Sequence, residues 1–287
     1  MKKKLRVALL FGGKSAEHEI SLISARNIVA AMDKQKYDIV AIGIDKQGRW
    51  HLDEGAKLLL GGDKARVEFR DGRNAAAIMP GNGATPMVRR SGAAGLSGID
   101  VVFPILHGPF GEDGTVQGLL KLANLPFVGA GVLGSAVGMD KDVMKRLLRD
   151  AGIAIGKFMA FERSDKISFI KVKRTLGMPL FVKPANLGSS VGISKVAKPG
   201  QFSAAIKAAF RYDNKIIIEE FIAGREIECS VLGNDHPIAS LPGEIVVNRD
   251  FYSYDAKYLD AQGSRLEIPA KLPANVIKEI QQTAVQV

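Results

Sequence analysis

Residues 179–196 read PLFVKPANLGSSVGISKV, a stretch that combines two strand-like runs with a lysine and a glycine–serine turn. Residues 180–182 are apolar, and residues 191–196 alternate apolar with small or polar side chains. This pattern predicts two antiparallel strands joined around residues 186–190. Lys183 stands at the end of the first strand, where its ammonium group can neutralise a ligand's charge.

The turn has the composition of an anion-binding device. Gly188 and Gly192 let the backbone approach a ligand closely, and Ser189 and Ser190 add hydroxyl groups. Their N–H groups can point at phosphate oxygens, so the stretch predicts a phosphate-holding hairpin. An ordinary surface hairpin is the alternative that these residues alone leave open.

Length and composition predict a globular protein. The 287 residues are enough for two domains, and 46% of them are hydrophobic. The net charge of +10 is spread over scattered basic residues without interleaved aromatics, which favours an acidic small molecule over nucleic acid as the partner. The single cysteine, Cys229, indicates a reducing, cytoplasmic compartment. No apolar run approaches transmembrane length, so no membrane partner is expected.

The first part of the chain has the pattern of a parallel α/β domain. Residues 5–11 form a continuous apolar run before two glycines, residues 19–32 have helical spacing, and residues 38–44 give a second strand. This order implies a right-handed parallel unit with ligand-facing residues at the carboxyl ends of its strands. Residues 12–19 are therefore predicted to lie at a site-forming edge.

His107 follows a further buried strand, predicted at residues 100–106, and faces the same edge. Its position fits a catalytic residue and a structural turn residue equally well. Two nucleotide-binding motifs fail at this edge, because a P-loop would need a glycine where Ala8 stands and the dinucleotide fingerprint needs spaced glycines. Asp45, after the second strand, nevertheless resembles a ribose-binding acid.

The remaining sequence predicts a small mixed unit and the start of another. Residues 61–98 lack a sustained period and are interpreted as an insertion or mobile loop. Helices are predicted at residues 115–123, 139–152, 168–176, 202–210 and 274–287, and extended segments at 126–129, 153–161, 215–221, 226–232 and 243–247. Glu219 and Glu220 lie among apolar residues, which indicates either a solvated linker or carboxylates that bind ribose or adenine.

Six sequence blocks, in order, resemble those of the ATP-grasp ligases, specifically the D-alanine–D-alanine ligase family. The blocks are GGKSAEHEIS (12–21), HGPFGEDGTVQG (107–118), MDKDVMKRLLRDAG (139–152), FVKPANLGSSVGISKV (181–196), GREIECSVLG (224–233) and YDAKYLD (254–260). The resemblance implies an ATP-grasp architecture of α/β and α+β class. Its parts would be an N-terminal parallel α/β domain (1–139), a central ATP-covering domain with the hairpin (140–223) and the start of a C-terminal domain with a substrate lid (224–287).

The resemblance also implies a reaction. ATP would phosphorylate the carboxylate of one D-alanine, and the amine of a second would attack the acyl phosphate, with magnesium assisting, to give D-alanyl-D-alanine for peptidoglycan precursors. Phosphoryl transfer needs positioning and charge neutralisation more than covalent help. By family position the ATP-binding residues would be Lys141, Lys183, Gly188, Ser189, Ser190, Val191, Gly192, Glu219, Glu220, Ile222 and Glu226.

The family positions divide these roles further. The two lysines would hold phosphates, the loop would cover them, Glu219 and Glu226 would bind the nucleoside, and Ile222 would lie beside the adenine. On the substrate side, the residues implied are Glu17 for the ammonium of the first D-alanine, Ser189 and Tyr258 in a hydrogen-bonded chain with it, Lys257 near the transferred phosphoryl group, and His107 in the same cavity. Residues 251–260 would form a lid that excludes water from the acyl phosphate.

The end of the chain departs from the family pattern. It stops at Val287 within a helical pattern that has no C-cap glycine, so an incomplete third domain is expected. The magnesium ligands would lie beyond Val287, and the strands at 226–232 and 243–247 would lack partners. The alternatives are a D-alanine–D-lactate ligase, which the Lys257–Tyr258 pair disfavours, and a nucleotide-binding fragment without catalysis. The oligomeric state stays open, a homodimer being one alternative.

Overall fold

The computed structural model describes residues 3–52, 75–78, 87–89, 98–247 and 264–287. They belong to two compact units, Met1–Met139 and Asp140–Val287. The predicted lid at residues 251–260, with Lys257 and Tyr258, lies outside the described residues. No helix in the described ranges is long and apolar enough to span a membrane.

The first unit is built around parallel strands, as predicted. β1 (Leu5–Gly12) lies between β2 (Tyr37–Ile44) and β6 (Val101–Leu106) and pairs with both in parallel. Its side chains alternate between two cores, one containing Ala8 and Leu10 and the other containing Leu9 and Phe11. A strand covered on both faces needs apolar residues throughout, which is why β1 reads as one apolar run.

Three antiparallel strands extend this sheet beyond β2. β3 (Trp50–Leu52), β4 (Ala75–Ile78) and β5 (Met87–Arg89) give a six-stranded sheet in the order β5–β4–β3–β2–β1–β6. The sequence does not predict β4 and β5, which lie inside the segment interpreted as an insertion or loop. Strands of three or four residues are too short to show a period of two.

The helices described in the first unit are α1 (His18–Ala31), α2 (Thr115–Leu122) and α3 (Val132–Met139). The sequence predicts the first two but not α3, whose glycines lower its helix propensity. The strand predicted at residues 126–129 is wrong, since only Phe127 forms a bridge, with Val102 of β6.

The second unit contains an antiparallel sheet in the order β7–β10–β8–β9. These strands are β7 (Phe158–Glu162), β8 (Leu180–Pro184), β9 (Ser194–Val196) and β10 (Lys215–Glu220). The predicted hairpin is confirmed, because Leu180 lies opposite Val196 in an antiparallel ladder. Its second strand begins at Ser194 rather than at residue 191, since the N–H groups of Val191 and Ile193 bond to carbonyls within the turn.

Because successive side chains of each strand point to opposite sides, this sheet has two different faces. α5 (Phe169–Leu176) and α6 (Phe202–Ala209) supply residues to one core with the strand side chains of that face, which are Leu180, Val182, Val196, Ile216 and Ile218. The opposite face carries Phe181 and Lys183 from β8 and Ile217 and Glu219 from β10. α4 (Lys141–Asp150) sends lysine side chains to this second face.

The rest of the second unit corrects two predictions. The single strand predicted at residues 226–232 is wrong, because it is broken into β11 (Glu226–Glu228) and β12 (Val231–Leu232). β12 pairs with β13 (Ile238–Ala239). The N–H and carbonyl groups of Ser230 bond to Ser240 at this break.

The prediction that residues 243–247 form an unpaired edge is also wrong. β14 (Gly243–Val247) is the central strand of a three-stranded sheet, between β11 and β15 (Ser264–Glu267). The polar sequence SRLE of β15 carries no apolar alternation, so the partner strand was missed. The helix predicted at the end of the chain is confirmed as α7 (Ala274–Gln286).

Candidate functional site

The candidate residues of the first unit lie at the carboxyl ends of β1 and β6, where Gly12 and Leu106 are opposite in register. Glu17 is the N-cap residue of α1 and is only 5% exposed. Its N–H donates to Ser15 Oγ over 3.1 Å, and that hydroxyl donates to the carbonyl oxygen of His107 over 2.6 Å. These two bonds tie the β1–α1 turn to the end of β6.

The Glu17 carboxylate lies directly against the backbone of Gly108. A Cβ atom built on Gly108 would be 2.7 Å from Glu17 Oε2, and Gly108 has a φ of +73° that other residues rarely adopt. The Gly108 N–H donates to Glu112 Oε2 over 2.6 Å. A side chain at position 108 would therefore strain the backbone and require the Glu17 carboxylate to shift.

The His107 ring contacts α1 through a polar pair, since its Nε2 atom lies 3.1 Å from Ser24 Oγ. Ser21 of the same helix is fully buried; its hydroxyl accepts from the Gly12 N–H over 2.7 Å and donates to the carbonyl oxygen of Ile105. Sequence reasoning missed this serine. Its position four residues after Glu17, on the same side of α1, was the available signal.

Asp45, the candidate ribose-binding acid, has a structural role instead. It is 2% exposed and accepts hydrogen bonds from the N–H groups of Gln47 and Arg49, from Arg49 Nε and from His51 Nε2. Burial alone would raise the pKa of Asp45, but these bonds lower it below 3.8, so the carboxylate stays charged. Its oxygens hold the β2–β3 turn.

The central feature of the second unit is the Glu219 carboxylate, which is 9% exposed on β10. Lys145 Nζ of α4 lies 2.8 Å from its Oε1 atom, and Lys183 Nζ of β8 bonds to its Oε2 atom. Burial alone would raise the pKa of Glu219, but the charge of Lys183 and the hydrogen bond from Lys145 lower it below 4.5. The carboxylate is therefore ionised and has one ammonium group on each oxygen.

Lys141 begins α4 and fixes the base of the hairpin. Its backbone N–H and its Nζ atom donate to the carbonyl oxygen of Ala185, over 3.0 and 3.3 Å, and Nζ also donates to the carbonyl oxygen of Leu187. Desolvation, together with the charge of Lys183, lowers the pKa of Lys141 from 10.5 to about 8, although the charges of Glu219, Asp213 and Asp140 act in the opposite direction. The hydrogen bonds to the carbonyls of Ala185 and Leu187 thus hold Lys141 beside the hairpin, although burying its charge is unfavourable.

Asp140, the residue before Lys141, caps α4 and locates it on the sheet. Its Oδ1 atom accepts from the N–H groups of Asp142 and Val143 over 3.1 and 3.2 Å, and its Oδ2 atom lies 2.5 Å from Lys215 Nζ. Burial would raise the pKa of Asp140, but the bond from Lys215 keeps it below 3.8. The cap and the ion pair together place the first turn of α4.

The turn of the hairpin has strained backbone. Ser189 and Ser190 have φ angles of 47° and 62°, which non-glycine residues seldom adopt and which occur where a chain clamps a ligand. The Val191 N–H donates to the carbonyl oxygen of Gly188 over 3.2 Å. A Cβ atom on Gly192 would lie 2.7 Å from the Tyr212 ring, so this glycine is required by packing.

The other predicted nucleotide residues lie after β10 and on β11. Glu220 Oε1 accepts from the Lys157 N–H over 2.6 Å. Ile222 is 65% exposed, and Glu226 is an exposed first residue of β11. The structure thus brings Lys141, Lys183 and Glu219 into one cluster, whereas Lys257 and Tyr258 fall outside the described residues.

Lys145 and three phenylalanines are features that sequence reasoning missed. Lys145, Lys183 and Lys195 each place Nζ over a ring, at 5.4 Å from the centroid of Phe158, 5.6 Å from that of Phe181 and 4.9 Å from that of Phe221, respectively. The spacing of four residues from Lys141 to Lys145 predicts a shared helix face and could have identified Lys145. Within the described ranges, no group of three or more His, Cys, Asp or Glu side chains is placed to hold a metal ion.

A parallel α/β unit followed by a unit with a lysine-lined sheet face and a glycine–serine hairpin defines the ATP-grasp class. Comparison of the sequence with family models gives the family. The model described as D-ala D-ala ligase N-terminus matches residues 6–130, and D-ala D-ala ligase C-terminus matches residues 147–287. The chain belongs to the D-alanine–D-alanine ligase family.

Curated relatives and solved structures agree with this assignment. The D-alanine--D-alanine ligase of Shouchella clausii is 53% identical over 286 residues, 99% of this chain and 78% of the relative. D-alanine--D-alanine ligase A of Escherichia coli K12 is 51% identical, covering 99% and 79%. Among solved structures, the D-alanine-D-alanine ligase from Coxiella burnetii has a TM-score of 0.83 at 39% identity, covering 99% of this chain and 76% of that one. VanG D-Ala:D-Ser ligase from Enterococcus faecalis has a TM-score of 0.84 at 36% identity, covering 99% and 81%.

The lowered pKa of Lys141 predicts a specific pH dependence of stability. Because its folded pKa of about 8 is below its unfolded value of 10.5, the unfolded chain binds the extra proton in this interval. The stabilisation gained when Lys141 is uncharged is fully present above the unfolded pKa of 10.5. It is lost as the pH falls through the folded pKa of about 8. The free energy of unfolding should therefore rise with pH across this interval, by on the order of 2 kcal/mol from this group.

Urea unfolding of the wild type and Lys141→Met, measured from about pH 7 to pH 10, tests this. The loss of hydrogen bonds in the variant shifts its stability at every pH, so the slope is the relevant quantity. Lys141→Met should lack the increment, while Lys207→Met, which removes an exposed lysine from α6, should keep it. Equal slopes for all three proteins would show that Lys141 is not held in a desolvated site.

Proposed function

We propose that the protein is an ATP-dependent ligase that joins two D-alanine molecules into D-alanyl-D-alanine for peptidoglycan precursor synthesis. One observation carries the proposal, namely the cluster of Lys141, Lys145 and Lys183 around Glu219 beneath a strained glycine–serine hairpin. It is supported by relatives named D-alanine--D-alanine ligase, which are 51% and 53% identical to this chain over 99% of its length.

The reaction needs charge neutralisation because a carboxylate is a poor electrophile. The γ-phosphoryl group of ATP passes to a carboxylate oxygen of the first D-alanine, which gives an acyl phosphate and ADP. The amine of the second D-alanine then attacks the carbonyl carbon, the C–N bond forms, and the C–O bond to phosphate breaks. In this proposal Lys141 and Lys183 offset the negative charge of the phosphates.

The remaining nucleotide contacts follow from the same proposal. Residues 188–192 cover the phosphates with N–H and hydroxyl groups, Glu219 and Glu226 bind the nucleoside, and exposed Ile222 lies beside the adenine. Glu220, held by the Lys157 N–H, belongs to the same segment. The positive φ angles of Ser189 and Ser190 support a ligand-clamping turn.

In this proposal the first unit binds the first D-alanine. Glu17 binds the ammonium group of the first D-alanine, since a carboxylate and an ammonium form a charge-assisted pair, and His107 lines the same cavity. Ser189 and Tyr258 join Glu17 in a hydrogen-bonded chain, Lys257 approaches the transferred phosphoryl group, and residues 251–260 exclude water. The support for Glu17 is its burial beside Gly108 at the carboxyl edge of the parallel strands.

The proposal includes three further points. Magnesium accompanies ATP, and the described residues contain no group of three or more His, Cys, Asp or Glu side chains placed to hold it. The enzyme functions in the cytoplasm, as the single cysteine indicates, and a homodimer is the proposed assembly. The domains are those of the ATP-grasp pattern, at residues 1–139, 140–223 and 224–287.

The second substrate decides between this activity and its nearest alternatives. The structure of VanG D-Ala:D-Ser ligase is similar to this chain, so D-serine has to be tested beside D-alanine and D-lactate. The full-length protein should release phosphate from ATP when D-alanine alone is added and should form D-alanyl-D-alanine, detected by mass spectrometry. A phosphate-release rate that D-alanine leaves unchanged, or a mixed product that exceeds the dipeptide, would contradict the proposal.

Gly108→Ala should weaken the binding of D-alanine without weakening the binding of ATP. The added methyl group would lie 2.7 Å from Glu17 Oε2 and displaces the carboxylate proposed to hold the ammonium. Hydrogen bonds to charged groups are worth about 1.5–3 kcal/mol, so the KM for the first D-alanine should rise roughly tenfold to hundredfold.

Gly118→Ala is the matched control, because a Cβ atom there meets open space within α2. It should leave both KM values near those of the wild type and should stabilise the helix by up to about 1 kcal/mol. The assignment of Glu17 fails if the two variants have the same KM for D-alanine, or if Gly108→Ala raises only the KM for ATP.

A further inference from the structure

Glu219 has two ammonium partners, and they differ in exposure. The Lys145 side chain is 13% exposed and lies 2.8 Å from Oε1, whereas the Lys183 side chain is 25% exposed and bonds to Oε2. Each lysine therefore has its own carboxylate oxygen. Lys183 is the more exposed of the two lysines and is the second-last residue of β8, the first strand of the hairpin.

We infer that Lys145 is a positioning residue of the nucleotide site, the permanent counterion of Glu219 that frees Lys183 to exchange this carboxylate for a phosphate. This inference rests on the proposed function, because it takes a nucleotide phosphate as the anion that Lys183 meets. Lys145 itself remains on Glu219 and does not contact the nucleotide.

The exchange follows from the energetics of a buried carboxylate. Lys183 has to release Glu219 before its ammonium group can donate fully to a phosphate oxygen. A buried carboxylate left without a cation is strongly destabilising, so a single lysine would remain with it. With Lys145 on Oε1, Glu219 stays neutralised after Lys183 departs, and the penalty for the exchange is small.

The surroundings of Lys145 suit a fixed counterion. It lies one helical turn after Lys141, whose N–H and Nζ groups are bonded to the hairpin carbonyls, and Asp140 caps the same turn. Its Nζ atom is also 5.4 Å from the centroid of the Phe158 ring, a favourable position for a cation. The helix start and the ring therefore hold Lys145 against Glu219.

The charge of the cluster supports an anionic ligand. Lys145 and Lys183 pair with one carboxylate, and Lys141 lies near enough to Lys183 for that charge to contribute to lowering the pKa of Lys141 to about 8. A polyphosphate bound beside these lysines would relieve this repulsion. Without Lys145, Lys183 is committed to Glu219.

The test compares Lys145→Met and Lys145→Arg in the full-length protein. Lys145→Met should weaken ADP binding and raise the KM for ATP about tenfold, while the KM for D-alanine stays within about twofold of the wild type. Lys145→Arg keeps a cation of similar reach and should restore ADP affinity to within about threefold. Lys207→Met, at an exposed position on α6, should change neither quantity.

A double-mutant cycle shows whether Lys145 acts through Glu219. In a Glu219→Gln background there is no charge to neutralise, so adding Lys145→Met should change ADP affinity by less than about twofold. The inference is overturned if Lys145→Met costs as much in this background as in the wild type, if Lys145→Arg does not restore affinity, or if both KM values rise together. Should Lys145→Met not fold, Lys145→Gln is measured in the same cycle.

These outcomes separate the inference from the proposed function. ADP binding that depends on Lys145 through Glu219, in a protein that D-alanine does not stimulate, would reject the substrate and keep the role of Lys145. Normal D-alanine-dependent turnover with unchanged ADP and ATP constants in Lys145→Met would reject the role of Lys145 alone. A wild-type protein that binds no adenine nucleotide would reject both.

Discussion

The second unit depends on the neutralisation of one buried carboxylate. Glu219 follows Ile216, Ile217 and Ile218 on β10, which are all fully buried, and an unpaired charge at such a position would be very costly. Two lysines from different elements, β8 and α4, supply the compensation. The Lys145–Glu219 pair holds α4 against the sheet, and Lys183 lies near enough to Lys141 for their charges to repel each other. This repulsion is unfavourable in the free protein, and in the proposed function the nucleotide phosphates relieve it.

The two units thus offer opposite chemistry. The first presents a carboxylate, Glu17, at the carboxyl ends of its parallel strands, close to a glycine whose added Cβ atom would displace it. The second presents ammonium groups and strained backbone N–H groups. A ligase that activates an amino acid with ATP needs both, since one substrate brings an ammonium group and the other a polyphosphate.

Sequence patterns predicted the elements whose periods are set by burial. β1, β6, α1 and the β8–β9 hairpin were identified because runs of apolar residues or alternation follow directly from covering one or two faces. β4 and β5 were missed because they are too short to show a period, and β15 because its sequence is polar. The helix α3 was missed because its glycines lower its helix propensity.

The same distinction applies to the candidate site. Lys141, Lys183 and Glu219 were named from the sequence, and the structure brings them together. The pairing of Lys145 with Glu219 joins residues 74 positions apart and has no local signature beyond its helical spacing from Lys141.

The most direct test of the account is the ADP affinity of Lys183→Ala by calorimetry, with Lys173→Ala, an exposed position on α5, as control. The account predicts a roughly tenfold to hundredfold loss for Lys183→Ala and none for the control, whereas equal affinities in folded proteins would contradict it.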